Sequence, residues 1–502
     1  MARGVWYSSV HGRFMKTKAK PASVKAEWTV HSIGALAAVA AILVLGWWLT
    51  APPPRTLTRQ VPGMDGRTEA DAGRSEDVEI GEHFQAFAGS VDAEDSSPGW
   101  PRFRGADYDN ISREDVPLAS EWPADGPRVV WQTELGEGHA GAAVSDGRVF
   151  VLDYDEARRS DTLRCFSLAD GSELWRRWYR VRVKRNHGMS RTIPSVAGGV
   201  VVTIGPKCHV MCVDAQNGDL KWTHDLVRDF GAEVPMWYTG QCPLIDGSEV
   251  VLATGGETLL IGIDRETGGV LWRTENPGDW EMSHSSVMPM TLMGRRMFVY
   301  CAVGGIAGVS AEAETRGELL WHTAEWAPPV VAPSPLRLDE ERILVAAGYG
   351  AGSAVLRLSS DNGTIQADVD QTLRPRDGLA TEQHTPVLYD DHLFTVLPKD
   401  AGVRRNQFVC YHKKDLGNAV WASGRDLRFG LGPYVRADGK FFVLRDDGLL
   451  VMMHAHGGGF DILDRTRVLD GHDAWAPMAV ARGRLILRDA TRMVCLDLRV
   501  SP

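Results

Sequence analysis

The sequence predicts an all-β fold, built as a closed ring of eight four-stranded sheets. Three observations predict it. A strand–turn–strand phrase that usually ends in tryptophan recurs through residues 129–498, and its closing positions lie 42 to 55 residues apart. A shorter strand pair with a tight turn precedes each copy, and the last copy lacks the closing strand that the first strand of the ring supplies. Repeats of this length, with four strands each, are typical of β-propellers.

The clearest copy of the phrase is residues 212–222, which we interpret as strand, tight turn and strand. Asn217 and Gly218 form the turn, because both residues tolerate the positive φ that a two-residue hairpin needs. Leu220 and Trp222 then share one face of the returning strand. The closing positions of successive copies are Trp131, Trp175, Trp222, Trp272, Trp321, Gln366, Trp421 and Leu463.

The strand pairs that precede the phrase, and the two ends of the repeat region, complete the ring. The eight tight turns lie near Gly147, Gly199, Gly247, Gly294, Glu340, Asp391, Gly439 and Gly483. Residues 494–498 open a phrase without a Trp strand, whereas residues 129–135 are a Trp strand without an opening. We therefore expect these two segments to pair, which makes eight blades and removes the exposed sheet edges.

Cysteine usage indicates packing rather than chemistry. Seven cysteines is an odd number for a protein outside the cytoplasm. Cys165, Cys212, Cys410 and Cys495 occupy the same position of their repeats, which predicts one buried, small apolar slot. Cys208 shares a strand face with Cys212, but extended backbone separates the two too far for an unstrained disulfide.

The N-terminal residues predict a membrane anchor. Residues 1–28 form a basic tail, and residues 29–50 have no formal charge when His31 is neutral. Such a run is long enough for one transmembrane helix, and the basic flank places the N-terminus in the cytoplasm. This predicts a single-pass inner-membrane protein with its propeller in the periplasm. A cleaved signal peptide is the alternative, although the prolines at 52–54 disfavour cleavage beside them.

A linker separates the anchor from the repeats. Residues 51–98 hold four Arg against ten Asp or Glu and few large apolar side chains, so we expect a disordered acidic linker. The propeller then spans residues 99–502. The formal net charge of the chain is −10, and the folded part is mildly acidic, so nucleic-acid binding is not expected.

The repeat phrase resembles that of the PQQ-like (pyrroloquinoline-quinone-like) β-propellers, in which the Trp packs between neighbouring blades. Residues 100–112, WPRFRGADYDNIS, and residues 121–131, EWPADGPRVVW, look like the start of the membrane-anchored branch that is common in planctomycetes. The resemblance covers about residues 99–498. It implies either a binding scaffold, as in the similar lipoprotein of the outer-membrane β-barrel assembly machine, or a PQQ-dependent dehydrogenase.

Candidate site residues lie on the long connectors between blades, which share one face around the mouth of the central channel. The connector at residues 176–191 holds seven Arg or Lys and no acid. This composition is typical of a solvated strand face, and an anion-binding rim is the alternative, because Arg forks match carboxylate, sulfate or phosphate. Later connectors add His and aromatic residues, for which a polar ligand site, a metal or catalytic site, and ordinary loop packing all stay open. The candidate ligand-binding residues are Arg182, Lys184, Arg185, His187, Arg191, Trp237, Tyr238, Gln241, His284, His384, Arg428 and His472.

The sequence favours a binding or scaffold module for a protein or an anionic ligand over an enzyme. The alternative is a PQQ-dependent dehydrogenase that oxidises an alcohol or sugar with PQQ and Ca²⁺. Many such enzymes carry two adjacent cysteines under the cofactor, and no two cysteines are adjacent here. The calcium ligands of those enzymes also find no residue-by-residue match. No metal or cofactor site is therefore assigned, and PQQ with calcium stays the alternative.

The anchor makes a testable prediction. We expect the membrane-bound protein to retain an N-terminus near Met1, because the prolines at 52–54 disfavour cleavage after the apolar run. N-terminal sequencing of the protein from isolated membranes measures this. A soluble periplasmic form that begins near residue 52 would contradict an uncleaved anchor.

Overall fold

The computed structural model describes residues 36, 38–46, 78–91, 99–186, 188–471 and 473–500. The chain divides into two units, residues 1–60 and residues 61–502. In the first unit, residues 38–46 are helical. Within the described residues, no helix has both the length and the apolar character needed to cross a membrane. The predicted crossing at residues 29–50 extends beyond the residues described there and stays a prediction.

The second unit is an eight-bladed β-propeller, as predicted. Its described residues form 33 strands, of which β1 (His83–Ala86) lies outside blade 1 and β2 (Arg128–Glu134) belongs to blade 8. Blade 1 contains β3 (Ala143–Ser145), β4 (Arg148–Asp155), β5 (Ser160–Ser167) and β6 (Glu173–Arg180). Blade 2 contains β7 (Ser195–Ala197), β8 (Val200–Ile204), β9 (His209–Asp214) and β10 (Leu220–Asp225), followed by helix α1 (Leu226–Phe230). Blade 3 contains β11 (Leu244–Asp246), β12 (Glu249–Gly255), β13 (Thr258–Asp264) and β14 (Val270–Glu275).

The remaining blades repeat the same four-stranded plan. Blade 4 contains β15 (Met288–Leu292), β16 (Arg295–Ala302), β17 (Gly305–Ser310) and β18 (Leu319–Thr323). Blade 5 contains β19 (Leu336–Arg337), β20 (Arg342–Ala347), β21 (Gly352–Asp361) and β22 (Thr364–Leu373). Blade 6 contains β23 (Val387–Tyr389), β24 (His392–Val396), β25 (Phe408–His412) and β26 (Asp415–Ala422). Blade 7 contains β27 (Tyr434–Ala437), β28 (Lys440–Leu444), β29 (Leu449–His454) and β30 (Ile462–Arg467), and blade 8 adds β31 (Ala479–Ala481), β32 (Arg484–Arg488) and β33 (Arg492–Asp497) to β2. Short 3₁₀ helices lie at Ala313–Thr315 and Gly402–Arg404.

The first strand of each blade lies nearest the central axis. The short strand β3 contacts both β7 and β31, and β7 contacts β11, so first strands of successive blades meet around the channel. The ring closes as predicted, because β2 pairs antiparallel with β33 and places Trp131 opposite Cys495. The N-terminal strand of the repeat region therefore completes the last sheet.

Neighbouring blades are joined by a tryptophan that packs on a glycine turn. The indole Nε1 of Trp222 in blade 2 donates a hydrogen bond of 2.8 Å to the carbonyl oxygen of Arg265 in blade 3. Gly268 lies in the same turn with φ +75°, and a Cβ there would come within 2.6 Å of the indole. The same packing recurs at three other blade junctions: Trp131 on Gly171, Trp175 on Gly218, and Trp272 on Gly317.

The strand position opposite each tryptophan is small. Cys165, Cys212, Cys410 and Cys495 pair directly with Trp175, Trp222, Trp421 and Trp131, and glycines take this place opposite Trp272 and Trp321. All seven cysteines lie in the described part of the chain as buried, free thiols. Burial raises the pKa of Cys212 to about 12, so the thiol stays protonated and acts as a small apolar group.

Part of the predicted disordered linker is ordered, so the prediction for residues 51–98 is wrong over residues 78–91. Strand β1 pairs antiparallel with β6 on the outer edge of blade 1. Arg177 donates a 2.7 Å hydrogen bond to the carbonyl oxygen of Gly81, and its guanidinium lies 4.9 Å from the centre of the Phe84 ring. The average composition of the linker concealed this segment, because its large apolar side chains are concentrated there and the buried Ile80 is one of them.

A segment at residues 100–112, here called the crossing segment, spans the channel axis. It contacts the inner edges of blades on opposite sides of the ring. The contacts are Trp100 with Val144, Pro101 with Val196, Arg104 with Thr385 and Pro386, Asn110 with Tyr434, and Ile111 with Arg436. Tyr108 packs against the cores of blades 3 to 5. The buried guanidinium of Arg104 binds only carbonyl oxygens, at 2.7 to 3.1 Å, and burial lowers its pKa to about 10.

The tryptophan–glycine packing predicts a graded loss of stability. Gly268→Ala should lower the melting temperature more than Gly247→Ala, because both residues have positive φ but only the new Cβ at 268 meets the Trp222 indole. Each variant carries the left-handed penalty of roughly 1 kcal/mol, and overpacking adds about 1–3 kcal/mol at 268. Thermal unfolding followed by circular dichroism measures both. Equal melting temperatures would show that this contact contributes nothing.

Candidate functional site

A cavity of about 960 Å³ lies at one end of the channel and is lined by residues from connectors around the ring. Most of these residues immediately precede the inner strands, as Ile193, Cys242 and Ser286 do. The crossing segment contacts the inner strands themselves, and its Phe103 lines the cavity. The cavity is therefore a cup with the crossing segment at its floor.

One wall of the cup carries a column of stacked side chains from four different connections. The Trp237 ring lies 5.7 Å from the Tyr349 ring and 6.2 Å from the His284 ring, and both pairs are stacked. The Lys399 ammonium lies 5.4 Å from the centre of the Tyr349 ring. All four side chains line the cavity. The column thus presents two aromatic rings, an imidazole and a cation to one ligand.

The backbone of this wall is strained. Trp237, Tyr238 and Tyr349 have φ of 64°, 72° and 56°, in the left-handed region that bulky residues rarely occupy. Arg191 Nε donates a 2.7 Å hydrogen bond to the carbonyl oxygen of Trp237, and the Tyr238 hydroxyl donates one of 2.7 Å to the carbonyl oxygen of Lys184. Strain of this kind persists where surrounding contacts impose it, and it concentrates at functional sites.

Burial keeps two histidines of the cup neutral. The pKa of His284 falls to about 4, because burial and the Arg191 guanidinium both disfavour its charged form. Burial also lowers the pKa of His384 to about 4. Arg191 stays charged, although burial lowers its pKa to about 10. At neutral pH the two imidazoles are therefore neutral polar groups, and His284 lies beside the half-buried Arg191 cation.

The cup also holds carboxylates. Glu382 is 5% exposed, and its Oε1 lies 3.8 Å from Lys399 Nζ, while its Oε2 has no hydrogen-bond partner among the described residues. Burial raises the pKa of Glu382, and Lys399 opposes that rise. On the opposite wall, His139 stacks on Trp475 with ring centres 3.4 Å apart, and Arg185 forms a 2.6 Å ion pair with Glu137. The lining thus combines hydrogen-bond donors, acceptors and rings.

The structure brings five of the sequence-predicted candidates into this cavity. These are Arg185, Arg191, Trp237, His284 and His384. Arg182, Lys184 and Arg428 do not line it. Tyr238 and Gln241 are buried and hydrogen-bond backbone groups, Tyr238 at Lys184 and Gln241 at Ala253. His187 and His472 lie outside the described residues.

The basic connector is also shorter than predicted, because β6 extends to Arg180. Two of its cations lie on β6 and bind groups away from the mouth. Arg176 forms an ion pair with Glu173, and Arg177 binds the carbonyl oxygens of Gly218 and Gly81. Only the later part of the connector therefore reaches the cavity.

Sequence reasoning missed Tyr349, Lys399 and Glu382. Tyr349 and Lys399 lie on loops within blades, after β20 and after β24, whereas the predicted candidates lie on connectors between blades. The glycine-rich stretch around Tyr349, 348–352, was the available signal, because it marks a tight loop at the same end of the sheet. Glu382 lies two residues before the candidate His384, so it belongs to the same connector.

No group of three or more His, Cys, Asp or Glu side chains in the described ranges is placed to hold a metal ion. Two acids of the cup have other neighbours: Glu137 pairs with Arg185, and Asp489 accepts hydrogen bonds from the backbone of Thr491 and Arg492.

A family model described as outer membrane protein assembly factor BamB, of the PQQ-like repeat type, matches residues 159–423, more than half of the chain. The chain belongs to this family. The resemblance to PQQ-like β-propellers is thereby confirmed. No curated protein matches the chain in sequence.

Solved structures with a similar fold include dehydrogenases. Quinohemoprotein alcohol dehydrogenase from Comamonas testosteroni is 12% identical with a TM-score of 0.55, covering 82% of this chain and 83% of the other. Quinohemoprotein alcohol dehydrogenase ADHIIG from Pseudomonas putida HK5 is 13% identical with a TM-score of 0.52, covering 82% of each chain. A europium-containing methanol dehydrogenase is 13% identical with a TM-score of 0.52, covering 78% and 90%. At these identities the likeness shows the fold alone.

The buried histidines predict a pH dependence. The folded-state pKa of His384, about 4, lies below its ordinary value of 6.5, so the unfolded chain takes up a proton first as pH falls. Stability should therefore be full above about pH 6.5 and decline towards pH 4. His384→Gln should reduce that decline in urea unfolding between pH 7 and pH 4, and the exposed His454→Gln should not. An unchanged decline in His384→Gln would exclude this contribution.

Proposed function

We propose that this chain is a membrane-anchored, extracytoplasmic binding module whose cup takes an anionic ligand. The observation that carries the proposal is the placement of the Arg191 and Lys399 cations at the aromatic column of one cavity. A guanidinium offers a planar fork to a carboxylate, sulfate or phosphate, and a partly dry cavity strengthens that attraction.

The two cations have different surroundings, which suits different roles. Arg191 is anchored by hydrogen bonds to the carbonyl oxygens of Trp237 and Asn186, at 2.7 and 2.9 Å, so its position is fixed before a ligand arrives. The side chain of Lys399 is 67% exposed at the cavity. Arg182 and Lys184 are exposed on the connector that leads to Arg191. Exposed cations of this kind raise the local concentration of anions around the mouth.

The anchor is part of the proposal. Residues 29–50 would cross the inner membrane once, with the basic tail of residues 1–28 inside and the propeller in the periplasm. A protein partner is the alternative occupant of the mouth, in keeping with the matched family description of an assembly factor. Only the similarity in fold supports the alternative of a PQQ-dependent dehydrogenase.

A small planar anion tests the cup. The full-length protein in detergent should bind trimesate, a benzene tricarboxylate, in isothermal titration calorimetry. Lys399→Gln should weaken this binding by about three- to fivefold, as expected for one partly exposed charge contact. The matched control is Lys414→Gln, because Lys414 is exposed and does not line the cavity, and it should bind as the wild type does.

Two further titrations complete the test: trimesate binding at rising salt, and binding of the quinone PQQ. Binding should weaken as salt rises, because ions screen the charges. PQQ with and without Ca²⁺ is titrated in parallel. The anionic cup would be refuted if the wild type bound no anionic probe, or if Lys399→Gln bound trimesate as tightly as the wild type does. PQQ binding that requires Ca²⁺, with dye-linked oxidation of an alcohol or sugar, would favour the dehydrogenase instead.

A further inference from the structure

Anion binding does not explain why the carboxylate of Glu382 lines the cup. Its side chain is 5% exposed and lines the cavity, yet its Oε2 has no hydrogen-bond partner among the described residues. Lys399 approaches the other oxygen at 3.8 Å, which is longer than a hydrogen bond. A buried carboxylate oxygen without a hydrogen-bond donor is costly, so its retention on a cavity wall points to a ligand that supplies donors.

The neighbouring residues add matching polar groups. Gln383 and His384 follow Glu382 and also line the cavity. The Nε2 of His384 has no hydrogen-bond partner among the described residues, and the ring packs edge-on against Tyr434. A carboxylate accepts from two hydroxyl groups, and a neutral imidazole nitrogen either donates to or accepts from a third. Adjacent hydroxyl groups on one small ring would satisfy all three.

The aromatic rings of the cup suit the same kind of ligand. The Trp237 and Tyr349 rings form one wall, and Trp475 stacked on His139 lies on another. A sugar ring has apolar C–H faces that pack on aromatic side chains, and hydroxyl groups at its edge that meet carboxylates and amides. Pockets of this kind combine apolar walls with a few placed polar groups that fix orientation.

The charged side chains of the cup determine the orientation of the ligand. Glu382 lies beside Lys399, Lys399 lies over Tyr349, Tyr349 stacks on Trp237, and the Trp237 carbonyl oxygen accepts from Arg191. Lys399, Tyr349 and Trp237 therefore link the acid to the guanidinium along one wall of the cup. An acid group on the ligand is repelled by Glu382 and attracted by Arg191, so it belongs at the Arg191 end.

We infer that the ligand of the cup is an acidic sugar, which places ring hydroxyls on Glu382 and its acid group towards Arg191. This inference rests on the proposed anion-binding function and specifies the substrate class of the same cavity. A flat aromatic acid offers no hydroxyl donors to Glu382, and a simple inorganic anion offers neither donors nor a face for the rings.

The test compares three probes on the full-length protein in detergent by isothermal titration calorimetry. The probes are trigalacturonate, the neutral trisaccharide maltotriose, and trimesate. The wild type should bind trigalacturonate more tightly than either of the others. Glu382→Gln should weaken trigalacturonate binding about tenfold, because an amide replaces a charged acceptor, and should strengthen trimesate binding, because it removes a negative charge beside Lys399.

Controls separate the site from the fold. Glu275→Gln changes an exposed acid of β14 away from the cavity and should bind all probes as the wild type does. Glu382→Asp keeps the carboxylate but withdraws it by one methylene, and it should give an intermediate affinity for trigalacturonate. Circular dichroism confirms that each variant is folded.

The outcomes distinguish the acidic sugar as the ligand from anion binding by the cup in general. Trimesate binding with no preference for trigalacturonate, or trigalacturonate binding that Glu382→Gln leaves unchanged, overturns the acidic sugar while the anionic cup stands. Equal binding of maltotriose and trigalacturonate overturns the role of the acid group. If the wild type binds neither trimesate nor trigalacturonate, the proposed function itself is overturned.

Discussion

The packing of a tryptophan from one blade on a glycine turn of the next is the contact on which the rest of the structure depends. It occurs at successive junctions, for example Trp222 on Gly268, and it combines indole burial with a hydrogen bond to the turn. Because a propeller is a ring, an error in any one blade angle accumulates until the last sheet cannot close. A rigid contact that any side chain at the turn would obstruct keeps the angle between neighbouring blades constant. The residue opposite the indole on the adjacent strand is small, Cys212 in this blade, so the indole can lie flat on its own sheet.

The crossing segment converts the channel into a cup. Its contacts reach blades on opposite sides of the axis, through Pro101 at blade 2 and Arg104 at blade 6, so it braces the ring from inside. The buried Arg104 guanidinium needs several acceptors to offset its lost hydration, and backbone carbonyl oxygens of blade 6 supply two of them. A floor held by buried hydrogen bonds is rigid, so the proposed ligand would enter and leave through the mouth, where the connectors and cations lie.

The repeat made the fold predictable, and the lack of a repeat made the site difficult to predict. The same strand pattern recurs in every blade, so its period predicted the eight sheets. The incomplete repeats at the two ends of the repeat region predicted the pairing of β2 with β33. Site residues occur once each. Arg191, Trp237 and His384 were recognised because they lie on long connectors, but Tyr349 and Lys399 lie on loops within blades that the same reasoning passed over. The ordered strand β1 was missed because composition was averaged over a linker whose apolar residues are concentrated in one short part.

The strain at the aromatic column bears on how the cup binds. A left-handed conformation costs a bulky residue roughly 1–2 kcal/mol, and Trp237, Tyr238 and Tyr349 all adopt it. The hydrogen bond from Arg191 to the Trp237 carbonyl oxygen and the Tyr238 contacts with Lys184 offset that cost in the free protein. The rings and the guanidinium are therefore already placed before a ligand arrives, and binding does not have to supply the free energy of ordering them. Preorganisation of this kind favours selectivity for the shape and charge of one ligand class, while the exposed cations of the connector raise the rate of encounter for any anion.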